Sequence, residues 1–128
     1  MATLTTRLYV VRHAPAEDLA DGGDEARRLT KKGRKAFARL VNRLAEAGLE
    51  LDLVATSPLV RARETAEILA AELGGRPRIE VVDALAPGCD WQELVEWTVQ
   101  QDAARWRREA AAAVERAGLH WDELWRRV

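Results

Sequence analysis

The sequence predicts an α/β fold: a mainly parallel sheet with helices on both faces, in three α/β/α layers. Three observations carry that expectation. Short apolar runs, too short for helices, alternate along the chain with longer stretches of helical periodicity. Polar or turn-forming residues separate them, so strand and helix follow one another in the order that a parallel sheet needs. At 128 residues the chain lies within the single-domain range and can bury one core, so a single domain over residues 1–128 is expected.

The first run, Leu8 to Arg12, reads as a buried strand whose C-terminal end opens onto the crevice where α/β sheets bind ligands. A polar, glycine-containing loop over residues 15–28 follows, of the kind that shapes substrate access. Thr30 is placed to cap a helix with Phe37, Leu40, Val41 and Leu44 on one apolar face, and Gly48 to end it. Lys31, Lys32, Arg34, Lys35, Arg39 and Arg43 make that helix basic, either as a solvated face or as a surface toward an acidic or phosphorylated partner. Leu51 to Ala55 is the second strand and delivers the turn from Ser57 to Arg61. The next helix points Ala62, Ala66, Leu69 and Leu73 inward and closes at Gly74 and Gly75. Ile79 to Val82 is the third strand, and Asp90 with Glu93 forms a capping box for a helix carrying Leu94 and Val95. Arg105 to Ala117 reads as a further amphipathic helix stopped by Gly118.

The chemistry begins at Arg12 and His13. An arginine at a strand end can grip an oxyanion while the neighbouring imidazole attacks it. The plainer reading of such a pair is a core histidine beside a surface arginine. Three further segments bear on the choice. Ser57-Pro58-Leu59-Val60-Arg61-Ala62-Arg63-Glu64-Thr65-Ala66 stands at the second strand-to-helix turn, Arg27-Arg28-Leu29-Thr30-Lys31-Lys32-Gly33 precedes the basic helix, and Ala84-Leu85-Ala86-Pro87-Gly88 follows the third strand.

Together these blocks, over residues 8–97, resemble the histidine phosphatase, or phosphoglycerate mutase-like, superfamily, and within it the short phosphohistidine phosphatases of the SixA type. The Ser-Pro-Leu-x-Arg-Ala-x-x-Thr-Ala pattern is matched at every fixed position; in the Arg-Pro-Leu-Thr-x-x-Gly pattern only the proline is replaced, by Arg28. The resemblance implies that His13 is the nucleophile, forming a covalent phosphohistidine that divides one hard displacement into two easier ones. It implies that Arg12 and Arg61 clamp phosphate oxygens with forked, permanently charged donors. Arg27 aligns with a further phosphate-binding arginine, although its Asp-Glu-Ala-Arg-Arg surroundings could equally be a solvated loop. Ser57 either donates near the site or merely organises the turn.

The family's second histidine, usually within Gly-His-Glu-Pro after a late strand, has no match. The other histidine of the chain, His120, follows a helical stretch where a strand should stand; it is either a substitute or a surface residue. All five tryptophans lie between Trp91 and Trp125. Residues 98–128 therefore read as an atypical helical tail, and the sheet is expected to lack its late strands. A coding frameshift near Thr98 and a divergent, selected tail both fit. The expected function is hydrolysis of protein-borne phosphohistidine, because a short chain with little room for an added general acid suits the good imidazole leaving group. The alternative is a weakened phosphate- or phosphoprotein-binding module of the same fold.

Composition excludes several other classes. Twenty Lys and Arg against 21 acidic residues give a net charge of −1, which offers no global attraction to nucleic acid or an anionic membrane. Cys89 is the single cysteine, so no internal disulfide can form, and it lacks neighbours at metal-ligand spacing. No metal or other cofactor is expected, because the arginines supply the positive charge. Partners are then a phosphorylated protein or a small phosphate ester, and cytoplasmic residence is the default expectation in the absence of a leader-like or membrane-spanning stretch.

Overall fold

The computed structural model describes residues 7–75 and 77–116. Its regular elements are α1 (Lys31–Glu46), β1 (Leu53–Thr56), α2 (Val60–Glu72), β2 (Arg78–Val81) and α3 (Trp91–Arg116), with short 3₁₀ turns at Asp24–Ala26 and Asp83–Leu85. The chain divides into two compact units, one of residues 10–90 and the other built on α3. No helix among the described residues is long and apolar enough to cross a membrane.

In the unit of residues 10–90, β1 and β2 pair in parallel, Leu53 opposite Arg78 through Thr56 opposite Val81. Parallel neighbours need a crossover, and α2 supplies it. The α/β class with a parallel sheet is thus as expected, and both strands begin within two residues of their expected starts, the usual uncertainty of element ends.

Local sequence explains α1. The Thr30 side chain accepts the Gly33 N–H at 2.9 Å, satisfying one of the free donors of the first turn. At the other end Gly48, at φ 93°, adopts the left-handed conformation, and its N–H bonds to Ala45 while that of Leu49 reaches Leu44, a Schellman stop. Phe37 and Val41, one turn apart, are buried, Val41 completely. They join Ala14, Leu29, Val54, Ala66, Leu69 and Leu73 in one core.

Three expectations need correction. Leu8 to Arg12 is not a buried strand: it pairs with no strand among the described residues, and Leu8 and Val10 are 69% and 91% exposed. An apolar run becomes a strand through a ladder partner, and the described sheet consists of β1 and β2 alone. The segment enters the fold only at Ala14, which is buried, and at Ala16, which bridges Leu29. Leu40 and Leu44 were expected in the core but are 49% and 39% exposed, because burial follows the line of Gly33, Phe37 and Val41 at four-residue spacing. Finally, the two helices expected after Asp90 are one. No glycine or proline interrupts Trp91–Arg116, so nothing ends the first before the second begins. Gly118 and His120 lie outside the described residues.

Candidate active site

Helix α2 organises the site. Ahead of it, the Ser57 Oγ accepts the Leu59 N–H at 3.3 Å, so Ser57 shapes the turn. The helix buries two stripes. One is apolar, Ala66 and Leu69, continued by Leu73 at the cap; the other is polar, Arg61, Glu64 and Thr65. Each polar member holds a different segment.

Thr65 holds the segment of the candidate nucleophile. Its hydroxyl accepts the Ala14 N–H at 3.1 Å and donates to the Arg61 carbonyl at 2.7 Å. Ala14 is thereby fixed one residue after His13. The His13 Nδ1 lies 2.7 Å from the Ala14 carbonyl, which can only accept. A neutral ring in this contact carries its proton on Nδ1 and leaves the Nε2 lone pair free.

Arg61, 8% exposed, reaches the loop before α1. Its guanidinium donates to the Asp24 carbonyl at 2.8 Å and to the Asp24 carboxylate at 3.2 Å. Arg27 donates to the other carboxylate oxygen of Asp24 at 2.9 Å and to the Glu17 carbonyl. Asp24 therefore lies between two of the arginines that the sequence marks for phosphate. These contacts, led by the hydrogen bond from Arg27, hold its carboxyl below the ordinary carboxylate value. The Arg61 Nε is buried with no acceptor among the described residues.

Glu64 takes the third direction, pairing with Arg34 of α1 and with Arg28 at 3.5 Å. At the front of α1, the Thr30 N–H bonds to the Pro15 carbonyl at 3.0 Å. A Cβ on Gly33 would run into that carbonyl, so only glycine lets the helix approach residue 15 so closely.

Of the residues expected at the site, His13, Arg27 and Arg61 belong to one hydrogen-bonded assembly through Ala14, Thr65 and Asp24. Arg12 adjoins it in sequence and is exposed. His120 is outside the described residues. Sequence reasoning assigned no role to Thr65, Glu64 or Asp24. Thr65 was available as a fixed position of the second motif; Asp24 carried no local signal.

The chain belongs to the histidine phosphatase superfamily, branch 1, whose family model matches residues 8–128. An uncharacterised protein of Picosynechococcus sp. is 42% identical over 99 residues, which are 76% of this chain and 59% of that protein. The protein histidine phosphatase SixA, solved with tungstate, superimposes with a TM-score of 0.61 at 28% identity, over 67% of this chain and 55% of that one. A SixA structure from Agrobacterium tumefaciens shares the fold, with a TM-score of 0.62 at 22% identity over 72% of this chain and 59% of that one. The chain thus spans somewhat under two thirds of the length of these relatives.

Proposed function

We propose that the chain is a phosphatase that removes the phosphoryl group from a protein-borne phosphohistidine by way of a covalent intermediate on His13. The observation that carries this reading is the union of a buried, forked arginine with a histidine of defined tautomer: Thr65 bonds both to the Ala14 N–H and to the Arg61 carbonyl. The tungstate bound to SixA is a tetrahedral oxyanion, and that protein's likeness to this chain supports the same ligand class here.

In this mechanism Arg12, Arg61 and Arg27 hold the oxygens of the phosphoryl group and offset their charge. The Nε2 lone pair of His13 forms a bond to phosphorus as the bond from phosphorus to the substrate imidazole breaks; the departing nitrogen takes a proton from solvent or from His120. Water then attacks phosphorus, the bond to Nε2 breaks, and inorganic phosphate leaves. No cofactor takes part, and cytoplasmic residence belongs to the same proposal. Phosphate esters, with poorer leaving groups, depend more on proton donation and react more slowly.

A weakened phosphate-binding module is the second reading, favoured by one observation: the sequence has no Gly-His-Glu-Pro segment to supply the family's second histidine. Single-turnover release of phosphate from a phosphohistidine protein separates the two. Release abolished by His13→Ala and by His120→Ala establishes the phosphatase with His120 as second histidine. Retention of the phosphoryl group on His13 without release establishes the weakened module.

A further inference from the structure

Helix α1 carries a cationic face that the site chemistry does not use. Lys31, Lys35 and Arg39 lie on one line at four-residue spacing, with Lys32 beside them, and these four side chains with Ala36 border an open depression of about 560 Å³. All four are exposed, and none has an ion-pair partner among the described residues. Arg34, by contrast, turns away to Glu64. Glu46, at the far end, is the one carboxylate of the helix.

This arrangement works against the helix itself. Cations in the first turn oppose the macrodipole, and like charges four residues apart repel. The first turn holds no acidic residue to offset them. Local rules broken in this way are the mark of a surface kept for a partner. The position fits that role, because the Thr30 cap is bonded to the Pro15 carbonyl, two residues from His13.

We infer that the Lys31, Lys32, Lys35 and Arg39 face of α1 is a docking surface for an acidic segment of the phosphorylated protein that delivers its phosphoryl group to His13. Charge complementarity selects the occupant: four exposed cations on one helix face attract a carboxylate-rich protein surface, while the overall net charge of −1 offers no general attraction to polyanions. The identification of the partner as a phosphoprotein rests on the function proposed above; the docking itself does not.

The test has two arms. In the first, fluorescence anisotropy measures binding of a labelled glutamate-rich peptide, its glutamine counterpart and a single-stranded RNA oligonucleotide to the intact chain and to the combined variant Lys32→Ala, Lys35→Ala, Arg39→Ala. The expected result is binding of the glutamate peptide at least about tenfold tighter than of the glutamine peptide. That preference is lost in the variant and at about 0.5 M salt. Equal binding of the two peptides, an unchanged variant, or tighter binding of RNA overturns the inference. In the second arm, the variant raises KM for a glutamate-flanked phosphohistidine peptide about tenfold and leaves hydrolysis of phosphoramidate unchanged. Equal loss on both substrates overturns it. A chain that binds the acidic peptide but turns over neither substrate defeats the enzymatic reading and leaves the docking surface standing.

Discussion

Thr65→Val removes a hydroxyl while keeping the volume of the side chain, so it isolates the hydrogen bond that ties Ala14 to α2. Thr65 is 5% exposed and Ala14 4%, and water cannot readily replace the lost acceptor. The Arg61 carbonyl keeps its helical partner; the Ala14 N–H does not keep one. Leaving a buried donor unsatisfied costs about 1–3 kcal/mol. For a chain of this size that corresponds to a fall in Tm of roughly 4–12 °C. Thr65→Ser keeps the hydroxyl and gives up one methyl group, at about 0.8 kcal/mol. Chemical denaturation of the three proteins gives the stabilities, and hydrogen exchange at the Ala14 amide reports the bond directly. Transfer of labelled phosphoryl to His13, measured where all three are folded, should be slowed in Thr65→Val and nearly normal in Thr65→Ser. If the valine variant exchanges its Ala14 amide no faster and transfers phosphoryl as wild type does, Thr65 does not position the nucleophile, and the reasoning fails.

The Asp24 carboxylate and a phosphoryl group compete for the same guanidinium donors, so Asp24→Asn should tighten inorganic phosphate binding, by up to about fivefold for an exposed ion pair, as titration calorimetry would show; weaker binding would mean that Asp24 instead orders Arg27 and Arg61. The same carboxyl has a lowered folded-state value, from the Arg27 hydrogen bond foremost, so its stabilisation is full above the ordinary value of 3.8 and is lost as pH falls through the folded value; Asp24→Asn should flatten the stability profile in that acidic window and lower stability slightly near neutrality, where the carboxylate is fully charged. Lys32→Glu should stabilise α1 by about 0.5 kcal/mol by reversing a charge that opposes the helix dipole, a gain visible as a higher denaturation midpoint. Phe37→Ala empties part of the core and should cost about 3–5 kcal/mol, and a loss below 1 kcal/mol in the same assay would contradict the burial of that ring.

What could be read in advance follows from how local each signal is. The Thr30 cap and the Gly48 stop need only their immediate neighbours, and both stand where periodicity puts them. The Arg12-His13 and Ser57-to-Ala66 blocks pointed to the histidine phosphatase superfamily, which the family match bears out, because order and residue type in a motif are themselves the signal. The fate of Leu8 to Arg12 was not legible, since an apolar run reports only that burial is possible and the ladder partner lies elsewhere. The polar stripe of α2 escaped for a different reason. A search for apolar periodicity counts Arg61, Glu64 and Thr65 as a solvent face, yet all three are buried because each finds a specific partner. Asp24 is the extreme case: its pairing with Arg61 spans 37 positions and leaves no mark on the loop that contains it.

That polar stripe also explains how a site can be assembled on so small a sheet. The two described strands give few fixed points from which loops could project side chains at a common target. Helix α2 supplies three within little more than one turn: Arg61 to Asp24, Glu64 to Arg34, and Thr65 to Ala14. Burying these groups is costly unless each is satisfied, and satisfied polar groups demand one geometry where an apolar contact would tolerate several. The segments bearing His13, Arg27 and the basic face of α1 are thus placed by directional bonds to a single rigid helix. It follows that non-additivity should track shared partners. Losing Thr65 removes the bond to Ala14 while Arg61 still holds Asp24, whereas losing Arg61 leaves Asp24 to Arg27 alone, so a double-mutant cycle between Arg27 and Arg61 should show coupling, and one between Arg27 and Thr65 little.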